Sequence, residues 1–237
     1  MLIDPDSLAT DLARLESIEK ATMRLVTQAV HDFRRTAVEI FQAEKDLAGD
    51  IGEDITREAL DRMGVSRIDE RLFGKIDYKR ARYYFHPDFA VRQALFVDSK
   101  AEKLAGQATA TIQTAQASMK IRHHRKGRPV DEQGKLPMVI QTANGRYLIT
   151  TIFVKYNYEV AQRDNRLRNI VVAALPSGLL QALYNPTADD TIWRTGRNAD
   201  TRGEDFRVRL VFAKLKAKQT WRVQEIPAPP DVFEWQE

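Results

Sequence analysis

GKIDYKRARYYFHPDFAVRQALFVDSK, running from Gly74 to Lys100, is the stretch on which the reading of this chain turns. Its first half, Lys75 to Phe85, is crowded with aromatic and β-branched residues, and its second, Phe89 to Lys100, carries the apolar run Ala94 to Val97. Both compositions suit a pleated surface. Between them, His86-Pro87-Asp88-Phe89 puts proline at the second position of a four-residue turn, where its fixed φ fits. A β-hairpin is therefore expected with Pro87 and Asp88 at its centre, His86 facing Phe89 and Asp77 facing Asp98. Facing residues share a side of the sheet, with Cβ atoms about 5 Å apart. Alternation places Lys100 on that side too and turns Ser99 away.

Two carboxylates and a lysine then converge. Like charges that close repel unless a cation lies between them, and oxygen ligation without cysteine suits magnesium. A divalent ion held by two acids beside an amine is an arrangement for cutting phosphodiesters: the ion offsets charge developing on the phosphate, and the amine serves the attacking water. Asp-x-Lys alone is a short pattern, and an acid at a strand end also serves as a helix cap or a solvated edge; its pairing with Asp77 is what gives it weight. Pro87-Asp88 followed by Asp98-x-Lys100 also spells the PD-(D/E)xK nuclease signature literally. If the hairpin forms, about 33 Å of strand separates Asp88 from Asp98, too far to share an ion.

The rest of the chain bounds the setting. Its 237 residues, 43% of them apolar, suffice for a single domain spanning 1–237, and the net charge of +4 permits a polyanionic partner. No cysteine is present, which excludes disulfides and cysteine–zinc sites. The N-terminal residues do not read as a basic and then apolar leader, no stretch approaches a membrane span, and a cytoplasmic protein is expected. No GxxxxGK[ST] loop occurs, so no ATP dependence is expected.

Leu15, Ile18, Thr22, Leu25, Ala29, Phe33, Ala37 and Ile40 recur at helical spacing, predicting a helix from Pro5 to about Lys45 with Asp4 as its cap. A second helix is predicted over Gly52 to Met63 and a third over Ala101 to Met119. Glu53, in the first turn of the second helix, is a candidate extra metal ligand or a simple dipole-favoured acid. Lys120, Arg122, Arg125, Lys126 and Arg128 form the densest basic cluster, read as a loop able to grip phosphates without reading bases. Asn144-Gly145 marks a hairpin, and Ile170 to Leu175 a buried central strand. Asn185 to Gly203, with Trp193, Arg194 and Arg197, reads as a long polar loop. Arg207 and Arg209 share one face of a strand over Phe206 to Phe212, where two guanidinium forks can address guanine O6 and N7. Lys214 to Lys218 is predicted as a short basic helix and Thr220 to Ile226 as a last strand. The tail Asp231 to Glu237 is acidic and aromatic and is expected to dock on a neighbour.

Eight short runs carry a resemblance: Leu15 to Lys20, Glu53 to Thr56, Ile76 to Arg80, Val97 to Lys100, Gln141 to Asn144, Tyr184 to Pro186, Arg202 to Glu204 and Trp221 to Glu225. In this order the chain resembles the SfiI family of type II restriction endonucleases. The resemblance implies an active site of Asp77, Asp98 and Lys100, in agreement with the register argument, and an Arg-x-Arg strand that reads G/C-rich half-sites. It also implies assembly as a dimer at least, with a tetramer acting on two DNA sites within reach. The expected fold is α/β (α+β): a mixed central sheet flanked by helices, with a PD-(D/E)xK core. The expected activity is magnesium-dependent hydrolysis of double-stranded DNA, with metal on Asp77, Asp98 and the Ser99 carbonyl. The competing readings are a non-cutting DNA-binding protein on the same fold and a repair or junction nuclease.

Overall fold

Two aspartates set the start of the chain. The Asp4 carboxylate accepts from the backbone N–H of Asp6 and opens a 3-10 turn over Pro5–Thr10, and the Asp11 carboxylate accepts from the N–H of Arg14 and opens helix α1 (Leu12–Ala43). The computed structural model describes residues 2–44, 51–64, 81–86, 88–104, 108–143, 145–160, 164–196 and 207–237, with the backbone alone for 81–86. At 32 residues α1 is about 48 Å long. It buries Leu15, Ile18, Val26, Phe33, Ala37 and Phe41 along one stripe, the five larger side chains each contributing about 1.5–3 kcal/mol of hydrophobic stabilisation and the Ala37 methyl about 0.8 kcal/mol. No helix among the described residues is long and apolar enough to cross a membrane.

That stripe lies on a six-stranded mixed sheet built from β1 (Ala81–His86), β2 (Val91–Lys103), β6 (Val139–Thr142), β7 (Gly145–Val160), β8 (Asn165–Leu175) and β11 (Val223–Pro227), in the order β1-β2-β7-β8-β11 with β6 beside the start of β7. The β2–β7 pair is parallel and the others are antiparallel. Leu95, Val97, Ile152, Val154, Val172 and Ala174 face α1 and the short helix α2 (Ile51–Asp61). Phe153, Val171 and Ala173 face the other way, onto a three-stranded sheet ordered β3 (Thr109–Gln113), β10 (Arg207–Val211), β9 (Trp193–Thr195) and onto α4 (Phe212–Lys218). The layers are therefore helices, large sheet, small sheet. A two-stranded hairpin, β4 (Lys120–Arg125) with β5 (Arg128–Gln133), packs beside β9, and a one-turn helix, α3 (Gln181–Tyr184), follows β8.

Several expectations change. The β1–β2 hairpin exists, but His86 pairs with Val91 and not with Phe89. Phe89 packs into the core below the connection, Ala90 turns through a positive φ of 47°, and Ile3 donates its N–H to the Ala90 carbonyl at 3.0 Å, so these residues belong to the loop. Because the slip is of two residues, every side chain keeps its face. The helix predicted over 101–119 is replaced by the end of β2 and by β3. Thr109 to Gln113 alternates half-buried and buried positions at period two, and the ladder offered by β10 outweighs the weak helical preference of its alanine and glutamine.

The basic cluster at 120–128 is not a loop but strand β4, a turn and the start of β5. Lys126 and Gly127, both at positive φ (52° and 75°), make the two-residue connection. The polar segment after Asn185 contains β9. The tail docks on the chain's own α1: Trp235 lies under Arg24 at 5.1 Å, Phe233 beside His31 at 5.5 Å, and Glu237 pairs with Lys20 and Arg24. The Asn144-Gly145 hairpin signal leads correctly to β6–β7, and Ile170 to Leu175 lies inside β8.

Candidate active site

Asp98 and Lys100 point from β2 into the space between the two sheets. Asp98 is 4% exposed, and the Lys100 ammonium stands 3.8 Å from its Oδ2. Gln116, in the 3-10 turn that ends β3, donates from Nε2 to the same Oδ2 at 2.7 Å. The Gln116 amide is itself oriented, because its Oε1 accepts from the backbone N–H of Gln113 at 2.8 Å. Lys100 donates to the Thr111 carbonyl at 3.2 Å and lies 5.6 Å from the centre of the Phe153 ring.

Ser99 points the opposite way, as alternation requires. Its hydroxyl donates to Thr56 Oγ1 at 2.8 Å, and Thr56 shares a hydrogen bond of 2.9 Å with the Tyr156 hydroxyl, fastening the strand to α2. Burial raises the Tyr156 phenol well above its ordinary range, so it stays neutral. The α2 turn sits so close to β2 that a Cβ on Gly52 would come within 3.0 Å of the Lys100 carbonyl carbon. Glu53 therefore starts from the helix side of the sheet, whereas Asp98 and Lys100 occupy the other side. Asp77, the second expected carboxylate, lies outside the described residues, as does its pairing with Asp98. Among the described residues no three histidine or acidic side chains gather as a metal cluster. The buried, oriented Asp98 carboxylate beside an ammonium is hard-oxygen chemistry and fits magnesium in type.

One strand over, Lys155 of β7 stands in register with Lys100. Its ammonium is fully buried, 2.7 Å from Glu102 and 2.7 Å from the Thr109 carbonyl. Burial pushes its pKa below the usual lysine range, and Arg209 and Lys100 push in the same direction, while Glu102 pulls it back up. Between the sheets each ammonium thus has its own carboxylate, Asp98 for Lys100 and Glu102 for Lys155.

Arg207 and Arg209 are half-buried and share a face of β10, which is the middle strand of its sheet and not an edge. Arg194 of β9 is the cross-strand partner of Arg209 and joins them on that face. The basic hairpin divides in two. Lys120 and Arg122 lie 3.8 and 3.4 Å from Asp131, and Arg125 lies 3.2 Å from Glu132, while Lys126 and Arg128 stand exposed at the turn. Buried His123 between them is held neutral by desolvation, with Nδ1 3.3 Å from Thr195 Oγ1. Reading the sequence missed Gln116, Lys155 and Glu102, since no motif marks them and only the packing of β3 on β2 and β7 brings them in.

Solved structures share this architecture. The tetrameric restriction endonuclease SfiI bound to cognate DNA superposes with a TM-score of 0.81 at 32% identity, covering 93% of this chain and 87% of that one. The restriction endonuclease BglI bound to its DNA recognition sequence superposes with a TM-score of 0.74 at 14% identity, covering 95% and 94%, and supports the fold alone. Fold and site together define a restriction endonuclease, a site-specific deoxyribonuclease. The family model for type II restriction enzyme SfiI matches residues 29–226, and the SfiI enzyme of Streptomyces fimbriatus is 35% identical over 230 residues, 91% of this chain and 85% of that protein. The chain belongs to the SfiI family of type II restriction enzymes.

Proposed function

We propose that this chain, as one domain over 1–237, hydrolyses both strands of double-stranded DNA at a G/C-rich palindromic or interrupted palindromic site, leaving 5′-phosphate and 3′-hydroxyl ends. The observation that carries this reading is the adjacency of Asp98 and Lys100 on one face of β2, in a chain of this family. Asp77, Asp98 and the Ser99 carbonyl are the assigned metal ligands; Glu53 starts from the opposite side of the sheet and takes its alternative role, a first-turn acid favoured by the helix dipole. Magnesium bound there supplies neutralisation of the charge that builds on the scissile phosphate. Lys100 spends one N–H on the Thr111 carbonyl and keeps others for the attacking water or a phosphate oxygen. Asp98, short of solvent and fixed by Gln116, presents its carboxylate in one orientation, which costs no reorganisation when substrate binds.

Arg207 and Arg209 are assigned to base edges, and Lys126 and Arg128, with Lys120, Arg122 and Arg125 behind them, to phosphates. Cutting both strands of a symmetric site requires two active sites related by a dyad. A homodimer at least is therefore proposed, and the tetrameric state of the SfiI–DNA structure supports the larger assembly. The cytoplasm is the proposed place of action. Digesting a genome of known sequence with purified protein and magnesium, then sequencing the fragment ends, tests reaction, site and overhang together. Discrete ends at one motif are expected. Ends scattered over all sequences, or cutting confined to branched DNA, would reject the reading.

A further inference from the structure

The strand that carries the base-reading arginines is one ladder step from the groups that hold the catalytic pair. Arg207 is the cross-strand partner of Gln113, and Arg209 of Thr111. The N–H of Gln113 fixes the Gln116 amide, which donates to Asp98, and the Thr111 carbonyl receives the Lys100 ammonium. Lys100 is thus anchored on β3 itself and Asp98 on the 3-10 turn that follows it, whose Gln116 is oriented by the last residue of β3, and β3 is hydrogen-bonded along its length to the strand proposed to read the sequence. Lys155 adds a further tie from the large sheet to the Thr109 carbonyl of the same strand.

We propose that β3 couples recognition of the target to its cleavage, with Gln116 as a positioning residue that holds Asp98 in its metal-binding orientation only while β3 is seated by a correctly engaged Arg207–Arg209 strand. The proposal rests on the nuclease reading given above. Its chemistry is indirect: Gln116 acts through its hydrogen bond to Asp98, the carboxylate assigned to the metal. Losing such a partner costs about 10–100-fold in metal affinity or activity. A base mismatch that unseats β10 disturbs the same carboxylate and the same ammonium, so a wrong site is penalised in the chemical step as well as in binding.

The test uses Gln116→Met, which keeps the length and removes the donor, and Gln116→Asn, which keeps the amide and withdraws it by one methylene. Thermal unfolding of each is compared with the parent, so that a folding defect in one leaves the other to decide. Three readouts are taken: affinity for the target duplex in calcium, single-turnover cleavage across a magnesium titration, and the same in manganese. Unchanged affinity in calcium, cleavage slowed about 10–100-fold, a higher magnesium requirement and a smaller deficit in manganese are expected. Combined with Arg207→Ala, the two losses should overlap, the double variant cutting faster than the product of the single factors allows. Cleavage at the parental rate in limiting magnesium, binding lost in parallel with cleavage, or factors that multiply independently would each overturn the coupling. A parent protein that cuts no DNA would instead defeat the nuclease reading itself.

Discussion

Lys155 stands beside Lys100 in parallel register, fully buried, with its ammonium 2.7 Å from Glu102, a residue two positions beyond Lys100 along β2. Two like charges on neighbouring strands repel, so the carboxylate that offsets one of them matters to the seating of both. Glu102→Gln leaves the buried ammonium without its counter-charge and is expected to lower unfolding free energy by about 1.5–3 kcal/mol, read from denaturant midpoints. Lys155→Met with Glu102→Gln together should recover part of that loss. A Glu102→Gln protein as stable as the parent would show that the pair contributes nothing.

His123 gives the fold a pH dependence of known sign. Burial lowers its pKa in the folded chain from the ordinary 6.5, so the unfolded chain takes up the proton first as pH falls. The stability this group contributes is present above about pH 6.5 and is lost as pH drops through the depressed value. The parent should therefore lose more thermal stability than His123→Gln on going from about pH 7.5 to about pH 5. Equal losses would remove His123 as the cause.

Sequence choice should reside on β10. Arg209→Ala is expected to lose about 1–3 kcal/mol of discrimination at one base position, seen as cleavage at near-cognate sites in a competition digest. Lys126→Ala at the hairpin turn should instead weaken binding to all duplexes alike and flatten its salt dependence. Unchanged site preference in Arg209→Ala would reject the base-reading assignment.

What the sequence disclosed followed from periodicity. Asp98 and Lys100 share a face because strands alternate, a relation within β2 that the register slip at His86 does not touch. Arg207 and Arg209 were legible for the same reason. The face opposite the helices was not. Thr109 to Gln113 sits in an alanine- and glutamine-rich run whose strand character comes from pairing with β10, far downstream, and Gln116 acquires its role only through that pairing. The basic cluster from Lys120 to Arg128 was visible as charge, but its hairpin geometry depended on Lys126 and Gly127 both adopting positive φ, and its internal neutralisation on Asp131 and Glu132 across the ladder. The fate of the tail was hidden too, because Trp235 and Glu237 find their contacts on α1, at the other end of the sequence.

The central claim is that the Asp98–Lys100 face of β2 is where DNA is cut, and Asp98→Ala tests it most directly. The measurement is cleavage of the target duplex in magnesium alongside gel-shift affinity in calcium. The account expects cleavage to fall by more than about a hundredfold, beyond the loss of any outer-shell partner, while sequence-specific binding persists. A variant that still cuts at the parental rate would contradict it.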